Sequence, residues 1–238
     1  MEKMNKLSLV LPVYNEAKII KQLILDWENE FKKLKIDYEI IICEDGSTDG
    51  TKEILTEIFQ NNNKIIDNCV DYRRGYGKAV ISGIKTSKND YVLCVDSDGQ
   101  CDPNDLINFI ENIKDNDFVI GARKYRKDSK LRLIYSFLFK VFHDLLFGSG
   151  LMDPSCPFVV IKKNFFLKIE YLLVDVKEAF WWAFVAASIK YKAKYIELIV
   201  NHRTRGFGET QVYKMSKMPA IIIRNLMSII KIRFAKKI

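Results

Sequence analysis

Short apolar runs alternate with helical patterns along this chain. Leu7–Leu11, Tyr38–Cys43, Tyr91–Val95, Phe118–Ile120, Val159–Ile161 and Tyr195–Val200 are brief and rich in β-branched and aromatic residues. Runs of that length and composition predict buried strands. Pro12 is placed as the stop of the first. Between the strands, Ile19, Ile20, Leu23, Ile24, Trp27 and Phe31 recur at helical spacing, and the basic turn Lys32–Lys35 ends that helix. Further helices are expected over Thr51–Phe59, up to Ile84, over Pro103–Ile113, and over about Lys177–Ile189. Ser47, Thr48 or Asp49 is the candidate cap for the second. Strand–loop–helix repeated in this way predicts an α/β fold with a mostly parallel central sheet flanked by helices.

Two helical segments differ. From Leu131 to Phe147 a narrow polar stripe (Arg132, Ser136, Lys140, His143, Asp144) runs through otherwise apolar sequence. A similar pattern returns around Ile221–Ile232, with Arg224, Ser228 and Lys231 among isoleucines. Each pattern fits a buried core helix or a helix lying in a membrane interface. Two of them in one small chain favour a membrane surface. The expected division is residues 1–211 as one domain and 212–238 as a basic amphipathic helix.

Composition narrows the classes. With 238 residues and 48% hydrophobic content, a sizeable core is available and global disorder is excluded. The formal net charge of +8 points to an anionic partner. Aromatic residues sit in apolar helices and strands rather than on a polar stacking platform, which argues against nucleic acid. Five cysteines without a CxxC pair argue against zinc and a disulfide framework, and for a reducing, cytoplasmic setting. No run reaches the ~20 apolar residues of a membrane span.

The candidate chemistry centres on Tyr91–Pro103, YVLCVDSDGQCDP. A strand there delivers Asp96 and Asp98, with Gln100 two residues on. Two such close carboxylates repel unless a cation lies between them, and a hard divalent ion with oxygen ligands is the natural partner. Arg73-Arg74-Gly75-Tyr76-Gly77 is a glycine-containing basic turn opening a helix, suited to an anion. His202, Arg203 and Arg205 lie in a polar loop after the last strand and are candidates for holding phosphate.

The ordered set LVLPVYNE, EDGSTDGT, RRGYGKAVISG, VDSDGQCDP, GAR, MDPSCPF and HRTRGFGET resembles the family 2 glycosyltransferases of GT-A fold. The similarity is greatest to the branch of dolichol-phosphate mannose synthase and bacterial polyprenyl-phosphate sugar transferases, and covers roughly residues 7–210. The resemblance implies that Pro12, Tyr14, Glu16 and Asp45 hold the nucleoside of a nucleotide-sugar, with Gly75 and Gly77 beside the donor. It implies that Asp96, Asp98 and Gln100 bind Mg²⁺ or Mn²⁺ on the donor diphosphate. Arg123 and Arg205 match arginines near donor or acceptor phosphates, and Asp153 a base or sugar-positioning residue. Cys156-Pro157 stands where relatives have a glycine, and Glu178 is the nearest acid to Trp181-Trp182. The absence of QxxRW implies transfer of a single sugar.

The expected function is therefore inverting transfer from a UDP- or GDP-sugar to an isoprenoid-lipid phosphate, by a protein peripheral on the inner face of a membrane. A glycan-hydroxyl acceptor, or a non-catalytic nucleotide-sugar-binding protein, are the alternatives.

Overall fold

The computed structural model describes residues 5–124, 130–204 and 218–237. Seven strands form one sheet: β1 (Lys6–Val13), β2 (Asp37–Glu44), β3 (Ile65–Asp67), β4 (Tyr91–Cys94), β5 (Phe118–Arg123), β6 (Val159–Lys162) and β7 (Tyr195–Val200). Their order is β3-β2-β1-β4-β6-β5-β7. Only β6 runs antiparallel to its neighbours, so the carboxyl ends of β1, β2, β4, β5 and β7 share one edge with the amino end of β6. Helices cover both faces, which is why Leu9, Ile41, Leu93 and Val160 are all fully buried.

The helices are α1 (Ile20–Leu34), α2 (Thr51–Asn61), α3 (Tyr76–Thr86), α4 (Leu106–Asn112), α5 (Lys130–Phe147), α6 (Lys163–Ile169), α7 (Phe180–Lys190) and α8 (Met218–Phe234). Lys35 ends α1 in the left-handed conformation, as its basic turn suggests. None of the three candidates caps α2: the cap is Gly50, left-handed and without a side-chain cap bond, while Asp49 just before it accepts the Thr51 N–H at 3.1 Å.

Pro12 does not stop β1; it pairs within the strand, opposite Cys43. The physical reason lies in the pairing. Val13 C=O faces β2, where it accepts from Asp45 N, so the ring nitrogen of Pro12 faces β4. The pairing of β4 with β1 ends at Val10–Cys94, and Pro12 therefore forfeits no ladder bond. On that side its carbonyl accepts from Ser97 Oγ at 2.8 Å, which clips the loop after β4 to β1.

The polar stripe of α5 partly turns inward. His143 is fully buried, with Nε2 3.2 Å from Trp182 O and its ring against Trp182 and Phe147. The outward surface carries Leu133, Ile134, Phe137, Leu138, Val141 and Leu145, the last 80% exposed. On α8, Ile221, Ile229 and Ile232 are buried, while Ile223, Met227, Ile230 and Phe234 face out. Lys190 Nζ donates to Arg233 O, and Arg224 pairs with Glu178 at 2.6 Å, so α8 is docked on α7. Among the described residues no helix is long and apolar enough to cross a membrane.

Burial pushes the His143 imidazole down to about 4, with the Trp182 carbonyl and Asp144 only partly opposing it. Nε2–H donates to that carbonyl and Nδ1 has no hydrogen-bond partner, a neutral ring. A histidine depressed in the folded state contributes full stability above its unfolded value of about 6.5, lost as pH falls toward 4. Urea titrations across pH 4–7 should show a His143→Phe variant with a flatter pH dependence than the parent. The difference in slope is up to about 1.4 kcal/mol per pH unit within that window.

Candidate active site

The shared strand edge gathers the sequence motifs. The loop after β1 and the loop after β2 are sewn to each other by side chains on main chain. Asn15 N donates to Ser47 Oγ (2.9 Å), and Thr48 N to Asn15 Oδ1 (2.8 Å). Glu16 N donates to Thr51 Oγ1 (3.0 Å), and Ala17 N to Asp49 Oδ2 (3.1 Å). Asp49 is held below the usual carboxylate range because the bonds from Thr51 and Ala17 outweigh the opposing effect of partial burial.

Asp45, at the end of β2, is buried and fully engaged in holding the basic turn. Its oxygens accept Arg74 N and Gly75 N, both at 2.9 Å, with Arg74 Nε at 3.2 Å and Arg73 Nη1 at 3.7 Å. Arg73 Cζ lies over the Tyr14 ring, 3.4 Å from its centroid, a cation–π contact. Gly75 sits at φ +96°, a conformation that side chains disfavour, which explains the glycine at the start of α3. So Tyr14, Asp45 and the Arg73–Gly75 turn form one connected cluster at the strand edge where β1 ends.

Asp96 and Asp98 follow β4 and are half-buried. Asp96 Oδ1 accepts from Tyr76 Oη at 2.7 Å, and Tyr76 Oη accepts from Trp181 Nε1 at 2.8 Å. Asp98 Oδ1 accepts Gln100 N within the turn. The Gln100 amide donates to Arg203 O at 3.2 Å, and Arg203 N donates back to Gln100 O. Gln100 thus ties the DxD turn to the loop after β7. His202 bridges Cys101 through its main chain. The Arg203 guanidinium donates to Asp102 at 2.7 Å. Arg205 lies outside the described residues. Among the described residues no three acidic, histidine or cysteine side chains converge as a metal cage. Two hard carboxylates with few protein ligands beside them would suit a divalent cation of the kind that takes its remaining ligands from water and phosphate oxygens.

Arg123 ends β5, and Asp153 lies in the loop that leads into β6. Nε donates to Asp153 Oδ2 at 2.7 Å, Nη2 to Oδ1 at 3.1 Å, and the Arg123 N–H to Oδ2 at 3.3 Å. Ser155 Oγ joins both partners, donating to Asp153 Oδ1 at 2.6 Å and accepting from Arg123 Nη2 at 2.8 Å. Burial alone would lower the Arg123 guanidinium, but Asp153, and more weakly Asp96, hold it above its ordinary value. Glu197 of β7 accepts Met152 N and Asp153 N, both at 2.8 Å, and burial pushes its carboxyl up.

Sequence reasoning gave no site role to Tyr76, Ser155, Glu197 or Trp181. Tyr76 and Ser155 sit inside motifs already singled out; Glu197 and Trp181 carry no local signal.

All five cysteines are free. Burial raises the Cys43 and Cys156 thiols to about 12, so they are inert at neutral pH.

Residues 8–169 match the family model for glycosyl transferase family 2. The chain belongs to that family. Among curated proteins it is 26% identical over 212 residues to the undecaprenyl-phosphate 4-deoxy-4-formamido-L-arabinose transferase of Proteus mirabilis (strain HI4320), covering 88% of this chain and 64% of that one. The enzyme of the same name from Yersinia enterocolitica is 26% identical over 219 residues, covering 91% of this chain and 65% of that one. The chain therefore spans slightly less than two thirds of these relatives' length. Among solved structures, Mycobacterium tuberculosis glucosyl-3-phosphoglycerate synthase, in complex with Mn²⁺, UDP and phosphoglyceric acid, superposes with a TM-score of 0.71. It is 14% identical, covering 98% of this chain and 80% of that one. The fold is that of the GT-A glycosyltransferases.

Removing one member of a buried ion pair strands the other, at a cost of about 3–5 kcal/mol. Urea denaturation should show Asp153→Ala destabilised by about that amount. The double variant Arg123→Met/Asp153→Ala should be less destabilised than the sum of the two single changes.

Proposed function

We propose that this chain is an inverting glycosyltransferase that moves one sugar from a nucleotide-sugar to a polyprenyl phosphate at a membrane surface. The observation that carries the reading is the placement of Asp96 and Asp98 on the sheet edge that also presents Arg123. The names of the curated relatives support the acceptor class. Displacing a nucleoside diphosphate from the sugar C1 builds negative charge on the leaving oxygen. Asp96 and Asp98 would hold Mg²⁺ or Mn²⁺, which when bound neutralises charge on the diphosphate. Arg123, fixed by Asp153 and Ser155, adds a permanent cation beside Asp96. Tyr14, Arg73 and the turn held by Asp45 form the seat for the nucleoside, with Pro12, Glu16, Gly75 and Gly77 shaping its walls. His202 and Arg203, with Arg205 by its match to the family motif, are assigned to the acceptor phosphate.

A hydroxyl acceptor would need a base, and Asp153 is its candidate. The engagement of both Asp153 oxygens with Arg123 and Ser155 favours the phosphate instead. A phosphate monoester is already mostly dianionic at neutral pH, its second pKa being about 6, and needs no base. Asp153 then acts by orienting Arg123. The outward apolar faces of α5 and α8 provide the surface on which the isoprenoid chain and the bilayer meet the protein.

The test offers radiolabelled UDP- and GDP-sugars with Mg²⁺ or Mn²⁺ to undecaprenyl phosphate. Label should enter the organic phase, and Asp98→Asn should reduce transfer on the order of 100-fold. Label released only as free sugar, with none in lipid, sinks the lipid-phosphate reading.

Membrane docking is tested separately by co-sedimentation with phosphatidylglycerol vesicles. A Phe137→Glu/Leu138→Glu variant should bind about tenfold or more weakly than the parent. Equal retention of the two excludes α5 as the docking face.

A further inference from the structure

Tyr76 is neither a glycine nor a basic residue of the turn that contains it, yet its hydroxyl occupies a decisive place. Asp45 fixes the turn before it by taking the Arg74 and Gly75 N–H groups. Gly77 then lets the first turn of α3 press against the segment leading into α7. A Cβ at Gly77 would lie 2.9 Å from both Phe180 Cδ2 and the Val176 carbonyl oxygen. This close approach sets the Tyr76 ring edge-on to Phe180, at 6.2 Å and 69°. It leaves the phenol between Trp181 Nε1 at 2.8 Å and Asp96 Oδ1 at 2.7 Å.

The polarity of this chain is determined by chemistry. An indole N–H only donates, and a carboxylate only accepts. The phenol must therefore accept from Trp181 and donate to Asp96. With Trp181 filling a lone pair, the O–H has one direction left that satisfies the ionised acid. A bond of that kind is charge-assisted and short, and it restricts the carboxylate to one rotamer. It also draws charge from Oδ1, so Asp96 meets a ligand as an oriented acid rather than a freely rotating one. Trp181 stands 105 residues from Tyr76, and only the packing of α7 on α3 brings them together.

We propose that Tyr76 and Trp181 are positioning residues for Asp96. Trp181 acts only through Tyr76, and the pair sets the affinity of the DxD acids for a divalent cation and the diphosphate it bridges. The inference rests on the donor site described under the proposed function. Gly77, on this account, is a packing residue that makes the relay possible, in addition to its place beside the donor.

The experiment measures binding of UDP and GDP by calorimetry, with Mn²⁺ and again in excess EDTA. It uses the parent chain, Tyr76→Phe, Trp181→Phe and the double variant. Tyr76→Phe keeps the ring and its contact with Phe180 and removes only the hydroxyl. Mn²⁺-dependent affinity should fall about 10–100-fold in Tyr76→Phe. Affinity in EDTA should stay close to the parent's, while the thermal midpoint should fall by a few degrees because the buried Trp181 N–H loses its acceptor. Trp181→Phe should lose less. The double variant should match Tyr76→Phe within about twofold, the signature of one residue acting through the other. Parent-like Mn²⁺-dependent binding in Tyr76→Phe overturns the proposal. So does a double variant whose loss is the product of the two single losses. Should Tyr76→Phe prove unstable, Trp181→Phe decides, with parent-like Mn²⁺-dependent binding counting against the relay. A parent chain that binds neither nucleotide with Mn²⁺ overturns the donor site itself, an outcome separate from failure of the relay.

Discussion

Carboxylates crowded at one edge of a buried sheet repel each other and resist losing water, and that constraint organises this protein. Glu44, Asp45, Asp96, Asp98 and Asp153 all arrive at the same edge because β1, β2, β4 and β5 run the same way and β6 runs against them. Each burial must be offset by donors. Asp45 takes two main-chain N–H groups and two arginines, and Asp153 takes one arginine twice and a serine. The loops that bring those donors are the motif loops, so the motifs hold the fold together at this edge.

That division clarifies the roles of individual acids. Asp45 and Asp153 are consumed in holding arginines and turns. Asp96 accepts from a phenol, and Asp98 from a turn N–H. An acid fixed by neutral donors keeps its charge to offer to a cation, whereas an acid paired with a guanidinium has already spent it on a partner. Arg123 and Arg203 are both paired with an acid, Arg123 with Asp153 and Arg203 with Asp102; Arg123 also feels the charge of Asp96.

Helices α5 and α8 obey a different rule. In a helix packed on a globular core the apolar residues face in; here His143 faces in while Phe137 and Leu145 face out. Trp182 supplies the reason on α5, since its carbonyl satisfies the imidazole and its ring packs against His143 and Phe139. The side of α5 left outward is the one that water solvates poorly, and α8 continues it with Met227 and Phe234.

Much of the fold was legible in the chain itself, because strands buried on both faces must be short, continuous and apolar, and six of seven announced themselves in that way. The seventh, β3, is three residues long, too short for a period to show. The DxD turn was legible for the same reason, as acids placed directly after a buried run. Tertiary structure decided what each polar group touches. Whether Pro12 breaks or continues β1 depended on where β4 stops pairing. Whether Asp153 is a free base or the clamp on Arg123 depended on two strands lying side by side. The link from Trp181 through Tyr76 to Asp96 depended on a glycine that lets two helices meet. Periodicity is a local property that the sequence carries by itself, whereas the partner of a buried charge is chosen by topology among residues far apart along the chain.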